Sequence, residues 1–257
     1  MKRFISFSGG VESRTMCVLY GDKADAAIFS DTGYEHAELY QELDRFELAL
    51  KAIHPNLPII RIKNEKYPGG LPEYIRESNY YPSFRQRFCT RMFKIEPIDN
   101  FLRQFKDEGV EIMIGLNVEE GDQRTGNHGL LPFVEYSYPL YDQNITRSMC
   151  KGILNALNVA PNFPPYMRRG GCKGCYYKAK KEFVCMAHLV PSEYSEVMEL
   201  EEAIQDDRDT FFAIRDCIPQ GLRKFRKDVM SQGLLFNPSE VYATVNDATS
   251  CGVFCNR

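Results

Sequence analysis

SFSGGVESRTM, residues 6–16, sets two glycines among three serines, directly after the apolar run KRFISFS and directly before VESRTMCVLY. The first run reads as a strand and the second as a helix. A strand that ends in small residues and turns at once into a helix leaves several backbone N–H groups unpaired and aimed at one spot, where the helix dipole favours negative charge. Gly9 and Gly10 let the backbone approach an anion with no Cβ in the way, while Ser6, Ser8 and Ser13 add hydroxyls. The bland reading is a capped turn; the chemical one is a phosphate cradle built from Ser6, Ser8, Gly9, Gly10, Val11, Glu12 and Ser13. The spacing matches neither GxxxxGK[ST] nor GxGxxG, so it is neither of those two phosphate loops.

Outward from this loop the chain alternates. ADAAIFSDT reads as a second strand, HAELYQELDRFELALKAI as an amphipathic helix, PIIRI as a third strand, RMFKIEPIDNFLRQF as a helix and EIMIGLN as a further strand. Between PIIRI and RMFKIEP lies a Pro, Gly and Tyr passage, KYPGGLPEYIRESNYYPSF, read as a long loop. The alternation predicts an α/β fold, a doubly wound and mostly parallel sheet with helices on both faces. ITRSMCKGILNALN continues as a helix, and PNFPPYMRRGG marks a boundary. Residues 1–160 are therefore expected to form the domain that carries the glycine loop, and residues 161–257 a smaller helical region carrying cysteines.

The 257 residues include 44% hydrophobic and 26% charged side chains, ordinary values for a folded protein. No run approaches the roughly 18 apolar residues of a membrane helix, and Lys2 and Arg3 lead straight into the first strand, so a cytoplasmic protein without membrane association is expected. A net charge of −3 gives no global signal for nucleic acid, leaving a nucleic-acid acceptor to local charge such as Arg168, Arg169, Lys173, Lys178, Lys180 and Lys181. Nine cysteines, an odd number, argue against a secreted disulfide scaffold.

SGGVES resembles the SGGxDS pyrophosphate loop of the adenine nucleotide alpha hydrolases, the PP-loop enzymes. DTGYEH (31–36), RFCTRMFKIEP (87–97) and GLNVEEGDQR resemble, in order, segments of the sulfonucleotide (phosphoadenosine phosphosulfate) reductase branch of that group. YPLYD and GGCKGCYY, followed by HLVPSEYSEVMELEE, extend the likeness over most of residues 4–202. The resemblance implies ATP as a small-molecule nucleotide ligand, with Mg2+ on the pyrophosphate helped by the acid at position 12. Here that acid is Glu12 where the family usually has Asp, one methylene longer. It also implies nucleotide contacts from Asp31, Thr32, Arg91, Lys94, Glu120 and Arg124. A helix cap is the alternative for Asp31, and a solvated basic face for Arg85, Arg87, Arg91 and Lys94. His36, His54 and His128 read as structural or surface residues.

Cys172 and Cys175 form a CxxC, with Cys185 nine residues beyond. Two thiolates on one tight turn chelate one centre at low entropic cost. Cys89, in the CTR element, is the candidate fourth ligand or, alternatively, a catalytic sulfur carrier. A 4Fe–4S cluster is favoured over zinc; three thiolates would leave one iron open to sulfide, whereas four on zinc make a closed structural site. Cys251-Gly252 partly resembles the catalytic ECGxH tail of the reductases, without its Glu and His. The favoured reading is an ATP-pyrophosphatase-type enzyme that adenylates an acceptor and couples this to sulfur transfer, with a cysteine desulfurase as donor. The alternatives are a phosphoadenosine phosphosulfate reductase served by thioredoxin, and a catalytically weakened nucleotide-binding module. Related enzymes suggest a homodimer.

Overall fold

The computed structural model describes residues 1–121, 131–168, 170–204 and 218–232. Five parallel strands form one sheet in the order β3-β2-β1-β4-β5. They are β1 (Lys2–Ser6), β2 (Ala26–Asp31), β3 (Ile59–Lys63), β4 (Val110–Ile114) and β5 (Val134–Ser137). Phe4 stands opposite Ala26 on one side and Ile112 on the other, so β1 lies at the centre. The chain winds outward from β1 to β3, then crosses to β4, which makes the β1/β4 crevice the topological switch point where open sheets bind ligands.

Alternation along the strands feeds a core on each face. Ile5, Ala27, Phe29 and Met113 join the larger cluster, whereas Phe4, Ala26, Ile28 and Ile112 join the smaller one. The helices of the first half are α1 (Val11–Tyr20), α2 (Ala37–Ile53), α3 (Leu71–Ser78), α4 (Phe88–Thr90), which runs through a π turn (Arg91–Ile95) into α5 (Glu96–Leu102), and α6 (Val118–Gly121). After β5 come α7 (Pro139–Asp142), α8 (Arg147–Ala156), α9 (Lys180–Leu189), α10 (Pro191–Ala203) and α11 (Leu222–Gln232). Ile98 and Leu102 of α5 fill the smaller cluster. No helix among the described residues is long and apolar enough to cross a membrane.

The four expected strands and the expected α/β architecture are present, and the sheet is wholly parallel. Besides the four-residue helices α6 and α7, three elements escaped the sequence pattern. β5 is only four residues long, too short for alternation to register. α3 sits inside the presumed loop, with Pro72 in its first turn, Gly70 (φ 76°) before it and Asn79 (φ 52°) ending it in the left-handed region. α9 was obscured by the charges that open it. The larger cluster also runs without a break across the expected boundary at 160, joining Ile5 and Phe7 to Phe163, Tyr166, Phe183 and Val197.

Gly70 locks α3 onto the turn after β2. A Cβ there would lie 2.5 Å from the Thr32 carbonyl oxygen and 2.8 Å from Gly33 Cα, on a backbone already at positive φ. Gly70→Ala is expected to destabilise the fold by about 3 kcal/mol, summing left-handed strain and the backbone clash, as read from urea unfolding.

Candidate active site

Residues Phe7 to Gly10 pass from β1 into α1, with Gly9 at φ 77°. The Ser13 hydroxyl accepts from the Ser8 N–H at 3.2 Å and donates to the Gly10 carbonyl at 3.2 Å, so the serines shape the loop from inside. Glu12 points inward, 1% exposed. Its Oε1 accepts from Asn117 Nδ2 at 3.1 Å and from Arg147 Nη1, while Oε2 is buried without a hydrogen-bond partner. Asn117 follows β4, so this contact spans the switch point. Gly115 permits it: a Cβ there would come within 3.0 Å of the Glu12 backbone carbon.

Sequence reading missed Arg14. It is fully buried and donates to the Gly9 carbonyl at 2.9 Å, the Val159 carbonyl at 3.0 Å, and Glu42 Oε2 at 3.0 Å. Its charged position inside a helix of apolar spacing was the only available signal.

Asp31 ends β2 and does not cap α2. Its Oδ1 accepts from the Gly33 N–H (2.8 Å) and the Tyr40 hydroxyl (2.7 Å), and Lys63 Nζ lies 3.1 Å from Oδ2. The start of α2 is held instead by Glu193 of α10, which accepts from the Ala37 N–H at 2.9 Å and pairs with His36 Nδ1. Burial, reinforced by Lys178, pushes the His36 imidazole down to about 4. For Glu193, burial works upward, but the bonds from His36 and Ala37 bring it below the usual carboxylate range. Among the described residues, the metal-ligand types whose donor atoms all lie within 4.8 Å of one another are His36, Glu38 and Glu193. With both Glu193 oxygens engaged, this group reads as a helix lock.

The linkage is acid-sensitive. An unfolded His36 takes up its proton near pH 6.5, but the folded one does so only near pH 4, so the unfolded state binds more protons in between. Stability is expected to fall as pH drops from 6.5 to about 4, by up to about 1.4 kcal/mol per pH unit. His36→Asn, which can still donate to Glu193, should flatten that slope in denaturant titrations at several pH values.

The cysteine turn is stapled onto the DTG segment. Glu35 and Cys172 form an antiparallel bridge, and the Lys173 N–H donates to the Tyr34 carbonyl at 2.9 Å. The Tyr81 hydroxyl donates to the Gly174 carbonyl at 2.9 Å, and a Cβ on Gly174 would sit 2.0 Å from that hydroxyl. Cys172 Sγ lies 3.4 Å from Thr32 Oγ1 and 3.6 Å from Glu35 Oε1, and Thr32 donates to the same carboxylate oxygen at 2.9 Å. Burial, with Glu35 adding to it, holds the Cys172 thiol well above its ordinary value, and burial also raises Glu35.

Thr32, Cys89, Lys94, Cys172, Cys175 and Tyr177 line one cavity of about 570 Å³, open mouth included, with Gly170 and Gly171 in its wall. Gly170 also borders the glycine loop, since a Cβ on it would lie 3.5 Å from the Ser8 carbonyl oxygen. Cys185 is elsewhere: it is fully buried in the larger core, its thiol raised to about 11 by burial, and is not among the cavity residues. Its place on the inward face of α9 makes it a packing residue. Arg91 points to solvent, its side chain 72% exposed and paired with Glu96 at 3.1 Å. Glu120 is buried in α6. Arg124, His128, Arg169, Cys217 and the Cys251 tail lie outside the described residues.

The sequence of residues 2–128 matches the phosphoadenosine phosphosulfate reductase domain. The similarity to that domain lies in the N-terminal part of the chain. An uncharacterized protein of Methanocaldococcus jannaschii is 27% identical over 124 residues, which is 47% of this chain and 24% of that protein. The chain thus spans about a quarter of that relative. A crystal structure of phosphoadenylyl-sulfate reductase from Candida auris, in complex with phosphate, superposes with a TM-score of 0.47 at 13% identity, over 63% of this chain and 75% of that one.

Proposed function

We propose that this chain, whose N-terminal part is similar to the reductase domain, is an adenine-nucleotide-dependent enzyme of sulfur chemistry, which splits ATP at the α phosphorus and passes sulfur to the acceptor it has adenylated. The observation that carries this reading is the cavity in which Cys89, Cys172 and Cys175 meet Thr32 and Lys94, walled by the glycine that also touches the phosphate loop.

The loop from Ser8 to Ser13 holds the triphosphate. An oxygen of the acceptor attacks the α phosphorus, the α–β bond breaks, and pyrophosphate leaves with the electron pair. The loop N–H groups steady the charge that develops on it. The acceptor carbon now carries an adenylate; sulfide attacks that carbon, the C–O bond to the phosphate breaks, and AMP leaves with the electron pair. Lys94 at the cavity wall adds a positive field toward these anions.

The donor set suits an iron–sulfur cluster better than a single ion: three thiols share the cavity, which would leave zinc one short of its usual four ligands but would hold a cluster with one iron unligated by the protein. When bound, such a cluster supplies an iron with an open position for sulfide. Cys172 must lose its proton to ligate, and the neighbouring Glu35 then has most to gain by taking one up, which its raised affinity for protons favours.

Protein purified without oxygen should contain iron with matching sulfide and should exchange pyrophosphate into ATP when the acceptor is present. Zinc without sulfide would overturn the sulfur step.

One observation favours a second reading. The match of residues 2–128 to the reductase domain suits a phosphoadenosine phosphosulfate reductase, in which Cys251 would attack sulfur and thioredoxin would resolve the product. Sulfite formation that disappears in Cys251→Ser would select this reading, and sulfite formation that survives would sink it.

A further inference from the structure

Arg147 opens α8, far along the chain from the glycine loop, and reaches the loop's only carboxylate. Three features fix it there. Thr146 caps α8 by accepting from the Met149 N–H at 3.2 Å, the Arg147 N–H donates to Glu119 Oε2 at 2.9 Å, and α8 packs along α1. The arginine side chain is 18% exposed, and its Nε is buried without a hydrogen-bond partner.

We propose that Arg147 is the cation serving the phosphate loop: it rests on Glu12 when the site is empty and turns to a phosphate oxygen when a nucleotide binds. This rests on the reading of residues 6–16 as a nucleotide loop. A magnesium ion held by Glu12 would have only Oε2 left to bind, beside a guanidinium already paired with Oε1. Two cations there would repel each other in a poorly solvated pocket. The planar fork of the arginine suits phosphate, and its Nε–H is still unpaired. Magnesium that arrives with a triphosphate is then held by phosphates and water, not by this side chain. The longer acid at position 12 fits the same picture, since its extra methylene carries the carboxylate toward α8.

The deciding experiment is calorimetric titration of the full chain with α,β-methylene ATP, in excess Mg2+ and in excess EDTA. Wild-type affinity should agree within about threefold between the two buffers. Glu12→Gln frees the arginine and should tighten binding by about tenfold, whereas a magnesium-ligand role for Glu12 predicts the opposite sign. Arg147→Gln should weaken binding by about 30-fold, and Arg147→Lys should recover part of the loss. The double variant Glu12→Gln/Arg147→Gln leaves no lone buried charge, guarding against misfolding, and should bind like Arg147→Gln. Wild-type binding that collapses in EDTA, or weaker binding by Glu12→Gln in Mg2+, overturns the role of Arg147 while sparing the nucleotide loop. No binding by wild type in either buffer overturns both.

Discussion

Arg14→Ala is expected to lose about 4 kcal/mol of folding stability, a large share of the roughly 5–15 kcal/mol that keeps a domain folded. The guanidinium is fully buried, and burial lowers its affinity for protons to about 10, so it remains charged at neutral pH. It donates to three backbone carbonyls, those of Gly9, Val159 and Glu42, and to the Glu42 carboxylate, and it lies 4.8 Å over the Phe46 ring. Alanine would strand an acceptor at each of these places and open a cavity against Phe46. The loss should exceed that of Glu42→Gln severalfold, because Arg45 also bonds Glu42 Oε2 and can keep part of the network. Thermal and urea unfolding of both variants would measure this. Equal and small losses would mean that water replaces the guanidinium. The residue also orients the phosphate loop, since the Gly9 carbonyl must point into the protein for the adjoining N–H groups to point out.

Cys172→Ala should abolish metal or cluster loading and reduce sulfur chemistry by at least about a hundredfold, with nucleotide affinity changed by less than about threefold. The cysteine sits between the CxxC turn and the DTG segment, in contact with Thr32 and Glu35. Its replacement removes one of three soft donors in the cavity, while the backbone bridge from Glu35 to residue 172 and the Lys173–Tyr34 bond persist. Iron and sulfide analysis beside nucleotide titration separates the two effects. By contrast, Cys185→Ala should keep the metal and instead lose about 1 kcal/mol from the core. Equal metal loss in both variants would place Cys185 at the centre.

Much of this architecture was legible because the signals were local. Four strands and the long helices carry period-2 or period-3.6 patterns, and the glycine loop declares itself by composition in eight residues. The partnerships were not legible, because each joins residues far apart in the chain. Glu12 meets Arg147, His36 meets Glu193, and Glu35 meets Cys172, and no spacing rule reports such pairs. Charge runs misled in a simple way: Arg91 and Lys94 share one motif, but the π turn sends one to solvent and the other to the cavity. Cys185 drew attention by following a CxxC, yet helix α9 turns it inward among Phe183, Met186 and Ala187.

The unbroken core has a consequence for how the chain comes into being. During synthesis the phosphate loop leaves the ribosome early, but Phe163, Tyr166, Phe183, Tyr194 and Val197, which complete the core around Phe7 and Leu39, emerge only near residue 200. Until then the larger core, already covered in part by α1 and α2, lacks the side chains that close it, and the thiols of the CxxC turn have not yet met the strand ends that position them. Assembly of the thiol-lined cavity and closure of the fold are thereby late and simultaneous events. A nascent chain released early would be sticky and without its thiol-lined cavity, and cellular quality control would recognise it as unfinished.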